Sequence, residues 1–237
     1  DVDAIVSNDS VTIWSQGGCI GVDAGKAYYY QAMVSSGDNV NLYSYILKID
    51  MSTGKPIACS QNLNLGHTND ITYNKDLDVL VVCQNASNYE RISFVDPGDL
   101  TLVNPSKIQE ELTFGDGVTV EDTYITTSHQ ETKDIFGIFE TTQNVENELY
   151  SLEYNSYHQK YVVGINGGQT FRILNADFSD PNASGDAFSM TENTAEFVEQ
   201  TTVSDDSYIY FIFYNKTGSV TSYEGHVIAV YDWDGNY

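Results

Sequence analysis

The stretch LYSLEYNSYHQKYVVGINGGQTFRILNADF, residues 149–178, decides the fold. A short strand-like run is followed by an Asn turn at Asn155, then by the dense apolar run KYVVGI. A glycine-bearing loop comes next, and a third run, TFRILN, stops at Asn-Ala-Asp. β-branched and aromatic residues in runs of this length, bounded by Asn, Asp and Gly, read as strands joined by tight turns. INGGQTF (165–171) is a hairpin loop and not a phosphate loop, because neither a Lys nor a helix follows it.

The same unit recurs three more times. GGCIGVDAGKAYYYQAMV (17–34), continued by YSYILKIDMSTGKPIACSQNL (43–63), is one copy. NDITYNKDLDVLVVCQNASNYERISFVDPGDLTLV (69–103) is another, and TTVSDDSYIYFIFYNKTGSVTSYEGHVIAVYDWDGNY (201–237) is the last. Each central run (AYYYQAMV, VLVVC, KYVVGI, YIYFIFY) is expected in the middle of its sheet. No segment carries the 3.6-residue apolar period of a helix. A whole sheet repeated as one unit is the signature of a β-propeller. The reading is therefore all-β: a β-propeller of four-stranded blades, four of them visible.

The first-turn residues Asp23, Asn74, Asn155 and Asp205 serve as anchors, with spacings of 51, 81 and 50. Blades are placed at about 12–65, 66–106, 146–190 and 194–237 of a single domain covering 1–237. The long spacing leaves 107–145, read as an inserted hairpin in preference to a degenerate blade. A ring needs closure, so one further strand or blade is expected, either beyond Tyr237 or from VTIWS, Val11 to Ser15.

Asp and Glu number 34 against 10 Lys and Arg, a net charge of −24. Such a surface repels nucleic acid and anionic membranes and attracts cations or basic partners. No apolar run is long enough to span a bilayer. Cys19, Cys59 and Cys83 form no CxxC pair, which argues against zinc. Cys19 and Cys83 lie in apolar runs and read as small buried hydrophobes, while one disulfide with one thiol left over stays open. Asn8, Asn85, Asn182 and Asn215 head N-x-S/T sequons and are candidate glycosylation sites.

The motifs QGGCIGVDAGKAYYY, ILKIDMSTGK, GHTNDITYN, RISFVDPGDLTL, YVVGINGGQTFRILNADF and HVIAVYDWDGNY resemble those of secreted bacterial β-propeller domains of the YVTN/quinoprotein-like repeat group. The resemblance covers most of 12–237 and departs at 107–145. It implies a secreted or cell-surface location, large parent proteins and a further blade after the DWDG turn, for five or six blades in the complete ring. It implies no single activity.

Residues four to eight before each anchor mark where the innermost strands begin, and these ends should meet at one mouth of the channel. They are Gln16, Gly17 and Gly18; His67, Asn69 and Asp70; Glu148 and Tyr150; Glu199 and Gln200. Gln16, His67, Asn69, Asp70, Glu148 and Gln200 form the candidate ligand-binding set, suited to a small polar or cationic ligand. Glu148 and Asp70, helped by His67, would be the general acid and base of an enzymatic version. The bland alternative is structural: strand-start polar groups bonding neighbouring blades, with a His67–Asp70 hydrogen bond locking a loop. His129, His158 and His226 read as solvated side chains. Asp232 to Asn236 resembles the start of a calcium loop, although a plain turn explains it equally well. No cofactor is expected, with calcium the one exception to keep in view.

The function expected from all this is a non-catalytic extracellular or cell-surface propeller that contacts protein or glycan, or assembles into a surface structure. The alternative is a carbohydrate-active hydrolase or lyase with its site in the funnel. Only Trp14 and Trp233 are available as indole platforms for a sugar, which counts against the alternative.

Overall fold

The computed structural model describes residues 13–36, 42–86, 89–127, 129–135, 139–145, 149–165, 170–181, 188–189, 197–215 and 227–237. Glu148, Asn8, Asn182 and His226 lie outside these residues, as do most of the 165–171 loop and the first two residues of VTIWS.

The chain is all-β, in successive antiparallel sheets. The first sheet runs β1 (Ile13–Asp23), β2 (Lys26–Ser36), β3 (Leu42–Asp50) and β4 (Lys55–Cys59), each paired to the next. The second begins with β5 (His67–Asn74), β6 (Val79–Ala86), β7 (Tyr89–Val95) and β8 (Leu102–Val103). The third is β13 (Leu149–Asn155), β14 (Lys160–Ile165), β15 (Thr170–Asn175) and β16 (Phe188–Ser189), and the fourth is β17 (Phe197–Ser204), β18 (Tyr208–Asn215) and β19 (Val227–Asp232). The four dense apolar runs form β2, β6, β14 and β18, and each is flanked by strands on both sides.

The stretch 107–145 carries more than one hairpin. A single helical turn, α1 (Pro105–Ile108), starts at Asn104, whose side chain accepts from the Ser106 N–H. Then β9 (Val118–Val120) and β10 (Ile125–Thr127) extend the second sheet, because β10 pairs with β7. Only β11 (His129–Ile135) and β12 (Phe139–Val145) stand as a separate two-stranded hairpin.

The anchors close the first strands by local chemistry. Asn74 Oδ1 accepts from the N–H groups of Asp76 and Leu77, Asn155 Oδ1 from those of Tyr157 and His158, and Asp205 Oδ1 from those of Ser207 and Tyr208. This is the same Asx turn made three times. Asp23 differs because its turn has only two residues, Ala24 and Gly25, both at positive φ (49° and 77°). That geometry suits a two-residue hairpin and leaves the Asp23 carboxylate to hold Lys48 Nζ at 2.5 Å.

Three apolar clusters hold the sheets to one another. Tyr30, Ala32 and Ile46 of the first sheet pack with Ile71, Leu80, Val82 and Val95 of the second. Val81, Ile92 and Phe94 of the second pack with Leu152, Tyr161 and Val163 of the third. Val162, Phe171 and Ile173 of the third pack with Ile209, Phe211 and Tyr231 of the fourth. Each fully buried side chain of this size contributes roughly 1.5–3 kcal/mol. Through these interfaces β1 packs on β5, β5 on β13 and β13 on β17, so the first strands lie innermost.

Candidate functional site

Every innermost strand carries a one-residue bulge near its start. Register slips between Ser15 and Gly18, between Thr68 and Asp70, between Leu149 and Ser151, and between Glu199 and Thr201. A bulge inserts one unpaired residue and re-aims the side chains around it. It therefore decides which polar residues at these strand starts turn inward.

Asp70, just past the bulge of β5, is 1% exposed. Its Oδ2 accepts the backbone N–H of Leu152 and of Thr202, both at 3.2 Å, and its Oδ1 accepts the N–H of Ile71 at 3.0 Å. The Thr201 hydroxyl lies 3.1 Å from both oxygens. Gly17 of β1 lies against the same carboxylate so closely that a Cβ there would overlap it. One side chain thus touches β1, β13 and β17 besides its own strand. Burial pushes its carboxyl well above the usual range, and the three N–H groups with the Thr201 hydroxyl pull it partly back.

Two further acids share the region. Glu199 is fully buried, and its Oε1 accepts from the Ser151 and Thr202 hydroxyls. Its Oε2 has no hydrogen-bond partner and lies where a Cβ on Gly164 would stand. Burial pushes it up to about 7. Glu153, half-buried, accepts from the Thr72 and Ser204 hydroxyls and is also pushed by burial up to about 7. Cys19, across from these acids on β1, has its thiol raised first by burial and then by Glu153 and Asp70. The three cysteines are free thiols.

The six predicted residues fare differently. Asn69 and Asp70 are buried among the innermost strands, and Asn69 Nδ2 donates to the Tyr150 carbonyl at 2.8 Å. Gln16 occupies the bulge of β1, where its carbonyl accepts from Gln31 Nε2 at 2.6 Å. Gln200 sits on the bulge of β17 and is exposed, its amide turned back on the Glu199 carbonyl. His67 is half-buried at the start of β5. Past the bulge at Asn69, the Asp70 carboxylate reaches across to β13 and β17. His158 is partly buried: Nε2 lies 2.8 Å from the Asp206 carbonyl oxygen, and the ring lies tilted against that of Trp233, centroids 4.4 Å apart.

Glu153, Ser151, Thr72 and Thr202 were outside the predicted set, and Glu199 was passed over for its neighbour. The signal that could have found them is parity counted from the anchor once one extra residue is allowed per strand. At Asp232 the carboxylate accepts from the N–H groups of Asp234 and Asn236 and from the Asn236 amide, a turn closed on itself. Among the described residues no group of three or more His, Cys, Asp or Glu is arranged to hold a metal ion. A cavity of about 310 Å³ lies away from the innermost strands, lined by residues 59–64 and 99–102.

Chemically, the acids at the converging strands accept from hydroxyls and backbone N–H groups of neighbouring sheets. Such bonds hold one sheet to the next. No helix among the described residues is long and apolar enough to cross a membrane.

No protein-family model matches the chain, and no curated protein matches it in sequence. Its structure is similar to that of a luciferin-regenerating enzyme, with a TM-score of 0.51 at 9% identity over 97% of this chain and 63% of that one. Lesser likenesses include dihydro-heme d1 dehydrogenase NirN, with a TM-score of 0.41 and 13% identity over 94% of this chain and 35% of that one. Another is the β-propeller domain of Myceliophteria thermophila Cps50 (Swd1), with a TM-score of 0.37 and 8% identity over 94% of this chain and 75% of that one. The chain thus spans under two thirds of the length of the luciferin-regenerating enzyme and about a third of that of NirN, and at 9% identity the likeness to the former is one of fold alone.

Proposed function

We propose that the four sheets are blades of a β-propeller, five or six when the ring is complete, and that the protein works by contact with other proteins or glycans. Asp70 carries this reading. The acid that a funnel enzyme would use as proton carrier is buried and bonded to three neighbouring groups on β13 and β17. A general acid or base must reach a proton on its substrate, and this carboxylate is committed to the protein itself. The polar strand starts thus serve cohesion, and the loops and outer faces are left for partners.

The resemblance of its motifs to those of secreted bacterial propeller domains supports a secreted or cell-surface setting for such a module. We assign no resident cofactor. The Asp232–Asn236 turn is read as a turn, since its carboxylate is satisfied within it.

The test compares the wild-type chain with Asp70→Asn and Glu199→Gln. Labelled protein is applied to intact cells and immobilised glycans, and in parallel to a panel of polysaccharides for turnover. Surface binding by all three proteins without turnover is the expected result. Turnover by the wild type that either variant loses while staying folded would replace the contact reading with the hydrolase or lyase. Absence of binding to any surface would remove the contact reading.

A further inference from the structure

Away from the innermost strands, the first two sheets leave a cavity of about 310 Å³ between them. One wall is the chain leaving β4, residues 59–64. It is pinned to β3 where the N–H groups of Ser60 and Leu63 donate to the Ile46 and Ser44 carbonyls, both at 2.9 Å. The other wall is the turn between β7 and β8, residues 99–102. That turn is closed by the Asp96 N–H donating to the Thr101 carbonyl and the Leu100 N–H donating to the Asp96 carbonyl. Leu63 and Leu100, 7% and 2% exposed, form the floor and belong to the core that joins the two sheets. Those sheets are already packed on each other, so no further blade of the ring comes between the walls.

The polar groups of the rim are held in place with bonding capacity to spare. Asn62 Oδ1 accepts the N–H groups of Ser44 and Asn64, at 3.2 and 3.0 Å, and its Nδ2 donates to Asn64 Oδ1 at 2.9 Å. Further hydrogens on both amide nitrogens are left over from these bonds. Asp99 Oδ1 accepts the N–H and the hydroxyl of Thr101, at 2.9 and 2.7 Å, which leaves Oδ2 as an acceptor. Gln61 is exposed, and its amide forms no hydrogen bond among the described residues. The rim thus offers several donors and one charged acceptor, set in position by the protein's own bonds.

The lining selects its occupant by chemistry. It holds no Lys, Arg or His, so nothing there neutralises an anion. It holds a single carboxylate, Asp99, too few for a divalent cation. What remains is three carboxamides and two hydroxyls over an apolar floor. A carboxamide presents a donor and an acceptor side by side, which matches adjacent hydroxyls, and a carboxylate accepts from such hydroxyls. The volume lies at the small end of the range of ligand pockets, about 300–1,000 Å³. It suits one sugar ring, free or at the end of a glycan chain.

We infer that this cavity binds one uncharged sugar residue, its hydroxyls bonded by Gln61, Asn62, Asn64 and Asp99 and its carbon face laid on Leu63 and Leu100. The inference rests on the contact reading above and gives the glycan arm of that reading a place between two blades, apart from the innermost strands. No aromatic ring lines the cavity, so affinity for a free monosaccharide is modest, with a Kd on the order of 1 mM.

The test titrates glucose, galactose, mannose and N-acetylglucosamine against the wild type, Gln61→Ala and Asp99→Asn, followed by ligand-observed NMR. Gln61→Ala breaks no bond within the described residues, and Asp99→Asn keeps an acceptor for Thr101, so both variants are expected to melt as the wild type does. At least one sugar should bind the wild type saturably, and each variant should bind it about three- to tenfold more weakly, the loss of one hydrogen bond. Failure of all four sugars to saturate overturns the inference, and so does a sugar that binds both variants as tightly as the wild type. Binding to cells and immobilised glycans, measured alongside, separates the two readings. A chain that binds those surfaces with neither variant weakened loses the cavity and keeps the contact reading. A chain whose cavity takes up free sugar but which binds no surface keeps the cavity and loses the contact reading.

Discussion

The carboxylate of Asp70 accepts the backbone N–H of Thr202 at 3.2 Å, across 132 residues of sequence and from one sheet to another two places along the chain. The same oxygen takes the N–H of Leu152 on the sheet between them. Strands that do not pair with each other by backbone bonds are thus tied through one side chain. The N–H groups it meets are buried, and without an acceptor each would be costly.

Replacing Asp70 separates its charge from its bonding. Asp70→Ala leaves the N–H groups of Ile71, Leu152 and Thr202 and the Thr201 hydroxyl without their acceptor. Each buried unsatisfied group costs about 1–3 kcal/mol, so the sum is a large share of a domain's stability. Asp70→Asn keeps one acceptor oxygen and should lose markedly less. Urea denaturation of the three proteins measures this. A midpoint for Asp70→Ala equal to that of the wild type would show that the hub contributes nothing.

Close packing around the hub makes a second expectation. A Cβ on Gly17 would overlap the Asp70 carboxylate and stand 2.7 Å from the Asp70 Cα, so the backbone itself must shift. Gly17→Ala is expected to destabilise by about 1–3 kcal/mol, the usual cost of overpacking. Gly25 has open space around it but φ of +77°, so Gly25→Ala carries only the left-handed backbone penalty, roughly 1 kcal/mol. Thermal melts rank the two, and an equal or reversed order would contradict the packing argument.

What the sequence made legible follows from how local the chemistry is. Asn74, Asn155 and Asp205 close their turns with N–H groups two and three residues on, so residue type and spacing sufficed. The dense runs became central strands because their side chains are apolar on both faces, as in Val162 and Val163, which pack into different clusters. The bulges were not legible: a single inserted residue leaves no compositional mark, yet it turned Glu199 inward and Gln200 outward. The pairing of β10 with β7 was equally hidden, since three-residue strands give no period and the contact spans more than thirty residues. Glu153 was missed because counting stopped at the strand start, and its partners Thr72 and Ser204 lie on two other strands.

The buried acids set the direction of the pH response. Glu153 and Glu199 are pushed by burial up to about 7 from an ordinary 4.5. Between those values the folded protein holds protons that the unfolded chain has released, so stability falls as pH rises. Their contribution is complete below about pH 4.5 and is lost as pH passes about 7. For fully buried Glu199 the change is on the order of 3 kcal/mol, and for half-buried Glu153 it is smaller because water screens it. The exposed turn acids act in the opposite sense. Asp50, held down by Lys26 and Ser52, and Asp99, Asp205 and Asp232, held down by Thr101, Tyr210 and Asn236, favour the fold above their ordinary 3.8 and lose that effect as pH falls further. Stability should therefore peak near pH 4–5, below the neutral optimum common among domains. Melting temperature is expected to fall by several degrees between about pH 5 and pH 8. Glu199→Gln removes the larger titration and should flatten that slope. A melting temperature that rises across this interval, or a slope unchanged by Glu199→Gln, would show that the buried carboxyls do not govern it.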